Sequence, residues 1–392
     1  MKTMATRLLQ PPKGTFFLLG PRGVGKTTWL KATFPTALRF DLLHSETFLS
    51  LSRNPSLLEA RIGKQPPGTT VIIDEIQKLP ALLDEVHRLI EEKRLRFVLT
   101  GSSARKLKRS GANLLAGRAV TREMSPFASA EWPVSPFNLT RALEWGGLPL
   151  SVLSDDPADF LQSYFYTYLK EEIQEEGLIR QIEPFIRFLE VAGLANGEVL
   201  NIEALSRDCG SKRVTLDKWF LILEDTLVGF RLPAWRPRIK ARESAHPKFY
   251  WFDPGVARAA AGLLRDSVDS AWLSKALETW LIHEVRSYNL YSLRQRRLFY
   301  YALPSELEID LIVETQKALS SRSSEIVGLE FKLSKKWRRE WEKPLRDLAA
   351  SKKARIKRMI GVYTGSERLT FDDFEVLPVA DFLSELHAGR IF

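Results

Sequence analysis

Residues 20–27 have the types and spacing of a phosphate-binding loop, GxxxxGKT. They follow an apolar run, residues 16–19, that predicts a buried strand, and they lead into a predicted helix. The unpaired N–H groups and the dipole at the start of such a helix attract phosphate oxygens. We expect Lys26 to contact the β- and γ-phosphates and Thr27 to ligate Mg²⁺. The residues predicted to bind the nucleotide are Gly20, Pro21, Arg22, Gly23, Val24, Gly25, Lys26, Thr27 and Thr28.

Two adjacent carboxylates, Asp74 and Glu75, end a second apolar segment, residues 69–73. Phosphoryl transfer depends mainly on positioning and charge neutralisation, so a nucleotide site needs a metal-holding acid and a group that directs water. Asp74 is predicted to hold the Mg²⁺ through water, and Glu75 to orient and polarise the attacking water. The alternative is a solvated pair of acids at the end of a strand, but an intact phosphate-binding loop in the same chain argues against it.

Hydroxyl groups follow a third predicted strand, residues 96–100. In an open α/β sheet, ligands bind at the carboxyl ends of the strands, so this strand end should meet the other two at one crevice. Thr100 or Ser102 is therefore predicted to sense the γ-phosphate. The alternative is an ordinary hydroxyl cap where a strand enters a turn.

Several arginines follow the hydroxyl groups, at positions where a neighbouring subunit could present one to the nucleotide. A guanidinium supplied across a subunit boundary stabilises transition-state charge. Arg118 is the first choice for this role and Arg105 the second. The alternative for either residue, in a chain with 58 Lys and Arg, is an ordinary surface charge.

A second set of acidic residues lies in the last third of the chain. Glu278 belongs to a predicted amphipathic helix, residues 276–285, and Asp310 to a predicted strand, residues 307–313. Glu330 and Lys332 belong to the next strand, where alternation puts both side chains on one face. Carboxylates so placed would bind Mg²⁺ or Mn²⁺, and the lysine would stabilise charge at a scissile phosphate or activate its water. We therefore predict a metal site from Asp310, Glu330 and Glu278, with Lys332 beside it.

The middle of the chain predicts two short helices, residues 200–209 and 211–223, joined across Gly210. This is a helix-turn-helix pattern, and residues 228–233 would begin a wing strand. We predict that this module contacts duplex DNA through a basic wing, residues 235–242, and through polar and basic residues at the start of the second helix and along it. These residues are Lys212, Arg213, Thr215 and Lys218. The alternative is that this module packs against neighbouring domains.

The formal charge of the 392-residue chain is +10, which favours a polyanionic partner in addition to nucleotide. The densest basic clusters are residues 335–339 and 352–358. They suggest a salt-sensitive surface for a phosphate backbone, or else a solvated helix face. The single cysteine, Cys209, excludes an intrachain disulfide and suits a reducing cytoplasm. We expect neither a signal peptide nor a membrane helix.

Five stretches of the sequence resemble those of bacterial and archaeal AAA-type (AAA+) ATPases with a C-terminal domain of unknown function. These stretches are GPRGVGKTT, VIIDEIQKLP, LTGSSARKL, LLAGRA and GGLP. The resemblance implies an α/β architecture: a P-loop ATPase domain in residues 1–145, a helical linker and winged helix in residues 146–255, and a PD-(D/E)xK nuclease-like domain in residues 256–392. It also implies ATP and Mg²⁺ as cofactors, a second Mg²⁺ or Mn²⁺ in the C-terminal domain, and a homo-oligomer such as a hexamer.

The sequence therefore predicts a cytoplasmic Mg-ATPase that binds DNA and couples ATP turnover to DNA remodelling or translocation. One alternative is a nucleotide-switched signalling or chaperone-like ATPase whose C-terminal fold binds a protein partner. Another is an ATP-dependent DNA nuclease. The three differ in whether DNA stimulates ATP turnover and whether DNA strands are cut.

Overall fold

A computed structural model describes residues 5–103, 115, 117–133, 136–169, 182–236, 246–302, 308–318 and 323–392. Arg105 and most of the predicted basic wing, residues 237–242, lie outside this described part. Within it, no helix is both long enough and apolar enough to cross a membrane.

The N-terminal part is a parallel five-stranded sheet. Its strands are β1 (Phe16–Leu19), β2 (Leu38–Asp41), β3 (Thr70–Asp74), β4 (Arg96–Gly101) and β5 (Val120–Glu123), in the order β2-β3-β4-β1-β5. Every neighbouring pair is parallel, so the carboxyl ends of all five strands lie at one edge. The helices are α1 (Lys26–Thr33), α2 (Ser45–Arg53), α3 (Leu57–Ile62) and α4 (Leu82–Lys93).

The apolar runs that predict β1, β3 and β4 form the centre of this sheet. All four residues of β1 are buried, and so are Val71, Ile72 and Ile73 of β3. Side chains on both faces of the sheet are covered, as expected for parallel strands flanked by helices. The sequence-based α/β prediction is confirmed for this part of the chain.

The middle part is mainly helical. Its helices are α5 (Leu139–Trp145), α6 (Pro149–Leu153), α7 (Pro157–Ser163), a π-helix (Tyr164–Leu169), α8 (Ile182–Leu194), α9 (Ile202–Cys209), α10 (Arg213–Asp225) and α11 (Pro254–Ala260). Helix α9 ends at Gly210, which has a φ of 61°, and α10 begins three residues later. A two-stranded antiparallel hairpin, β6 (Gly229–Leu232) and β7 (Lys248–Trp251), follows. This order agrees with the pattern behind the winged-helix prediction, which stays a prediction.

The C-terminal part is a mixed six-stranded sheet in the order β12-β13-β11-β10-β9-β8. Its strands are β8 (Arg297–Ala302), β9 (Glu308–Gln316), β10 (Glu325–Lys332), β11 (Arg355–Tyr363), β12 (Leu369–Phe371) and β13 (Phe374–Pro378). Helices α12 (Ser270–Tyr291), α13 (Lys343–Ala350) and α14 (Val379–His387) pack with it. The nuclease-like fold proposed for this part stays a prediction.

The hydrophobic cores cross the predicted domain limits. One cluster joins Val24 of the phosphate-binding loop to Tyr164 and to the α8–α10 helices. A second joins Leu143 of α5 and Tyr250 of β7 to Trp280 of α12. Because buried apolar area stabilises each contact, the three parts pack as neighbours and not as beads on linkers.

Candidate functional site

The phosphate-binding loop connects β1 to α1 and depends on its glycines. Gly25 has a φ of 91° and Gly23 a φ of 80°, in the left-handed region that only glycine adopts at low cost. A Cβ on Gly20 would lie 2.4 Å from the carbonyl oxygen of Met124. The Lys26 ammonium donates to the carbonyl oxygens of Gly20 at 2.6 Å and Pro21 at 3.0 Å, and so lies within the loop.

The predicted magnesium ligands meet at the carboxyl edge of the sheet. The Thr27 hydroxyl lies 3.1 Å from Asp74 Oδ2 and donates to it. The Thr100 hydroxyl donates to the other carboxylate oxygen, Asp74 Oδ1. Oxygen ligands held together in this way suit Mg²⁺, which is bound by one or two carboxylates together with nucleotide phosphates. The chain thus brings three predicted site residues, from α1, β3 and β4, into one hydrogen-bonded set.

Glu75 is held by contacts on both its backbone and its side chain. Its backbone N–H donates to the Thr100 hydroxyl at 3.1 Å, and its φ is 60°, uncommon for a residue other than glycine. The Gln77 side-chain amide donates to Glu75 Oε2 and, at 3.2 Å, to the Ser102 hydroxyl. Gln77 thus links two predicted catalytic residues. Its role is not predictable from the sequence, because a glutamine two residues after an acidic pair belongs to no motif.

A cavity of about 620 Å³ adjoins the start of α1. The N-terminal segment lines it, including Leu9 and Pro11, and so does α6, including Pro149 and Leu153. Residues of α1 and the phosphate-binding loop, among them Thr28 and Gly25, complete the lining. The volume is within the usual range of small-molecule sites. Nothing in the local sequence pattern predicts this cavity, because its walls come from segments more than a hundred residues apart.

Arg118 lies just before β5, which runs parallel to β1, so it is at the opposite edge of the sheet from the phosphate-binding loop of its own chain. Its guanidinium pairs with Glu91 on α4, and both side chains are substantially exposed. Because both side chains are exposed to solvent, this ion pair contributes little to the stability of the fold. Contact between Arg118 and a phosphate would require the nucleotide of a neighbouring subunit.

The loop after β5 connects the phosphate-binding loop to the C-terminal part. Met124 packs against Gly20, and the next residue, Ser125, places its hydroxyl 2.9 Å from that of Ser287 and 2.8 Å from that of Tyr291, both on α12. The phosphate-binding loop also contacts the π-helix of the middle part, where the Tyr164 hydroxyl donates to the Arg22 carbonyl oxygen at 2.9 Å. The nucleotide site therefore touches both the middle and the C-terminal parts.

The C-terminal residues Asp310, Glu330 and Lys332 lie together on adjacent strands, β9 and β10. The Lys332 ammonium lies 2.5 Å from Glu330 Oε1 and 3.8 Å from Asp310 Oδ2. The backbone N–H of Phe331 donates to Asp310 Oδ2 at 2.7 Å. Burial, and then the charge of Asp310, raise the pKa of Glu330 to about 8. Glu330 Oε2 is buried and has no hydrogen-bond partner.

Glu278, on α12, is held by the hairpin of the middle part. The Lys248 ammonium lies 3.2 Å from Glu278 Oε1 and 2.8 Å from Glu308 Oε2. The Tyr250 hydroxyl also donates to Glu278 Oε1, at 2.5 Å. Burial opposes the charge of Lys248, but the carboxylates around it raise its pKa overall. Lys248 and Tyr250 are not predictable as site residues from the sequence, because their strand, KFYW, contains no motif.

These contacts test whether the C-terminal set fits a divalent metal ion. Glu330 Oε2 has no hydrogen-bond partner and is available as a metal ligand. The other carboxylates already accept hydrogen bonds: Glu278 from a lysine and a tyrosine, and Asp310 from a backbone N–H. Within the described ranges, no group of three His, Cys, Asp or Glu side chains is placed to hold one metal ion. In this arrangement the set does not fit a divalent metal.

The predicted DNA-contacting residues are partly accessible. Lys212, Arg213 and Lys218 are exposed around the start of α10 and along it, and Arg213 lies 3.7 Å from Glu203. In the C-terminal basic clusters, Lys353 and Lys357 are exposed. Other members of these clusters form ion pairs: Arg358 lies 2.7 Å from Glu375, and Arg339 lies 2.8 Å from Glu342.

Comparison with known proteins divides the chain into three. Residues 13–132 match the AAA domain family, residues 137–267 match a domain of unknown function, DUF8612, and residues 273–382 match another, DUF4143. No curated protein sequence matches the chain.

Two solved structures show a weak similarity. The Orc1 protein of Aeropyrum pernix in complex with DNA is 10% identical, with 64% of this chain and 87% of that chain covered and a TM-score of 0.29. A DNA polymerase III gamma subunit-related protein of Thermotoga maritima is 11% identical, with 55% and 95% covered and a TM-score of 0.22. TM-scores this low carry no argument about function. The family match and the geometry of its site lead to one conclusion: the N-terminal part of the chain is an AAA-type ATPase domain.

Proposed function

We propose that the chain is a Mg-ATP-hydrolysing AAA-type ATPase that binds DNA and couples ATP turnover to remodelling of DNA or movement along it. The observation that carries the ATPase part is the set formed by Thr27, Asp74 and Thr100 beside the phosphate-binding loop. Lys26 would turn from the loop carbonyls to the β- and γ-phosphates, and Glu75 would direct water at the γ-phosphate. The cavity beside α1 would hold the base and ribose.

The first test is steady-state ATP hydrolysis with parallel measurement of nucleotide binding. Glu75→Gln should lower kcat by about a hundredfold or more while the chain still binds ATP, because it removes only the group that activates water. Lys26→Ala should weaken ATP binding at least about tenfold. Asp84→Asn, at an exposed acid of α4, is the matched control. Full turnover by Glu75→Gln would refute the assigned role.

The DNA part of the proposal is supported by charge and by contact between domains. The chain carries a formal charge of +10, and exposed Lys and Arg side chains occur on α10 and on the C-terminal basic clusters. The loop at Met124 and Ser125 joins the nucleotide site to α12, so a phosphate-dependent shift there can reach the C-terminal part. We keep the three-domain division, 1–145, 146–255 and 256–392, as part of this proposal.

Binding of labelled duplex, single-stranded and branched DNA at several salt concentrations tests this part. The triple variant Lys353→Glu, Arg355→Glu, Lys357→Glu should weaken DNA binding. It should also reduce the slope of log binding constant against log salt concentration by about 0.9 for each lost phosphate contact. The control reverses three exposed charges of the ATPase domain, Arg53, Arg61 and Lys64. Equal losses in both variants, or no binding by the unmodified chain, would remove DNA from the proposal.

A second candidate function has one specific observation in its favour. On α10, Val214 is 66% exposed and Leu221 is 45% exposed, on either side of Lys218. Apolar side chains on an accessible helix face suit a protein partner better than a phosphate backbone. In a nucleotide-switched signalling or chaperone-like ATPase, this face would bind a protein. ATP turnover that no form of DNA changes would favour this candidate.

A further inference from the structure

We propose that the ammonium group of Lys248 takes the place of a divalent cation in the C-terminal carboxylate cluster, and that this cluster clamps the β6–β7 hairpin to the C-terminal sheet without metal. The cluster comprises four carboxylates and two lysines: Glu278, Glu308, Asp310, Glu330, Lys248 and Lys332. The inference concerns a site separate from the nucleotide site and does not depend on the proposed ATPase function.

Lys248 lies buried between acids of two different elements. The residue is only 5% exposed, and its ammonium touches one carboxylate from α12, Glu278, and one from β9, Glu308. Two acids from different elements thus share one cation, which is how a bound metal ion would join them. Burying an ammonium group is costly unless it is paired, so these contacts define where the Lys248 side chain lies.

The other acids of the cluster, Asp310 and Glu330, also have hydrogen-bond or ion-pair donors. Lys332 lies against Glu330 and near Asp310, and the Phe331 N–H donates to Asp310. A divalent ion at this place would need several carboxylate oxygens within about 2.0–2.6 Å of one point. It would also stand next to two ammonium groups, which already neutralise part of the carboxylate charge that would attract it.

Lys248 and the acids that it contacts belong to different parts of the chain. It is the first residue of β7, in the hairpin that follows α9 and α10, whereas the acids belong to α12 and the C-terminal sheet. Two backbone hydrogen bonds also join the end of the hairpin strand β6 to strand β8 of the C-terminal sheet. The Trp235 N–H donates to the Tyr300 carbonyl oxygen at 2.7 Å, and the Tyr300 N–H donates to the Pro233 carbonyl oxygen at 3.1 Å. The ammonium therefore connects the middle part to the C-terminal part.

The proposal is tested by Mn²⁺ binding to the full chain, measured by electron paramagnetic resonance without nucleotide. An Asp74→Asn background removes the metal ligand of the ATPase site. With Lys248 intact, we expect no Mn²⁺ bound at the cluster. Lys248→Met should bind about one Mn²⁺ per chain at concentrations where the chain with Lys248 binds none, since one of the two repelling ammonium groups is gone. Adding Asp310→Asn should abolish that binding. Lys275→Met, at an exposed lysine of α12 paired with Glu198, is the matched control.

Two results would overturn the proposal. One is Mn²⁺ binding by the chain with Lys248 intact that disappears on Asp310→Asn, a comparison that needs no substitution at Lys248. The other is a Lys248→Met chain that is folded by circular dichroism and still binds no Mn²⁺. If Lys248→Met does not fold, Lys248→Gln, which keeps a hydrogen-bond donor toward Glu278, replaces it and is judged by the same two results.

Discussion

Gln77 holds the side chain of Glu75, the residue predicted to direct water, in place. Its amide contacts both Glu75 and Ser102, so three side chains from the end of β3 and the end of β4 act as one unit. Its own amide oxygen is buried and has no hydrogen-bond partner. A buried amide oxygen without a hydrogen bond costs free energy of folding, so the hydrogen bonds that the Gln77 NH₂ group donates must compensate for that cost. The sequence shows the acid and the hydroxyls, but not the amide between them.

Replacing Gln77 with methionine, which is similar in size, removes these hydrogen bonds. We expect kcat for ATP hydrolysis to fall roughly tenfold, because Glu75 loses the contact that orients it, while the Kd for ATP stays nearly unchanged. Steady-state kinetics and equilibrium binding measure the two effects. Gln65→Met, at a loop glutamine that bonds to the Ile62 carbonyl, is the control. An unchanged kcat would show that Glu75 does not need Gln77.

At the scale of elements, the sequence predicts the strands that carry the site and misses others. Strands β3 and β4 are predicted to within one residue, because short apolar runs bounded by turns or charges determine them. Strand β2, with the pattern LRFD and one buried residue, has no such signal. In the C-terminal part, α12 is 22 residues long, more than twice the predicted segment, because beyond that segment its buried face includes polar residues such as Ser287 and Asn289 that interrupt the pattern.

Long-range contacts are the part of the site that pattern reading could not supply. The cavity beside α1 and the clamp at Lys248 each combine segments that are far apart in the chain. The acids and hydroxyls at strand ends are different, because parallel strands bring their carboxyl ends to one edge whatever the loops between them do. Residues such as Asp74 and Thr100 are therefore predictable, whereas Lys248 is not.

Gly146, which ends α5, allows that helix to meet α11. Its φ is 72°, and a Cβ there would lie 1.8 Å from Asp253 Oδ1. Asp253 in turn accepts the Gly147 N–H at 2.7 Å and the Val256 N–H at 3.1 Å. Gly63, which ends α3, has a similar φ of 68°, but nothing lies within 4 Å of its Cβ position.

These two glycines separate backbone strain from steric clash. Gly63→Ala should cost about 1 kcal/mol of stability, from the left-handed conformation alone. Gly146→Ala should cost roughly 2–4 kcal/mol more, because the new methyl group displaces the buried Asp253 carboxylate. Thermal unfolding of both variants gives the comparison. Equal shifts in Tm would mean that the α5–α11 contact adapts freely.

For the whole molecule, the position of Arg118 makes oligomerisation a functional question. It lies at the edge of the sheet away from its own phosphate-binding loop and pairs with Glu91 on the surface. The sequence predicts a homo-oligomer such as a hexamer, in which Arg118 is predicted to reach the nucleotide of a neighbouring subunit. Each active site would then be built from two chains.

Mixing two inactive variants tests this arrangement. Arg118→Ala keeps its own phosphate-binding loop, and Lys26→Ala keeps its arginine, so each should hydrolyse ATP slowly alone. Mixed oligomers should recover part of the activity, because some interfaces join an intact loop to an intact arginine. Arg61→Ala, at an exposed arginine of α3, is the control and should be active alone. Absence of recovery in oligomers shown to contain both variants would place Arg118 outside the catalytic site.

The burial of Cys209 has a practical consequence for fluorescence work. It is the single cysteine of the chain, 3% exposed at the end of α9, and burial raises the pKa of its thiol to about 11. Maleimide dyes react with thiolates, which such a side chain rarely forms at neutral pH. A cysteine introduced at Leu153, 40% exposed at the wall of the cavity beside α1, should therefore label selectively. If the cavity holds the base and ribose as proposed, the fluorescence of the dye should change when nucleotide binds.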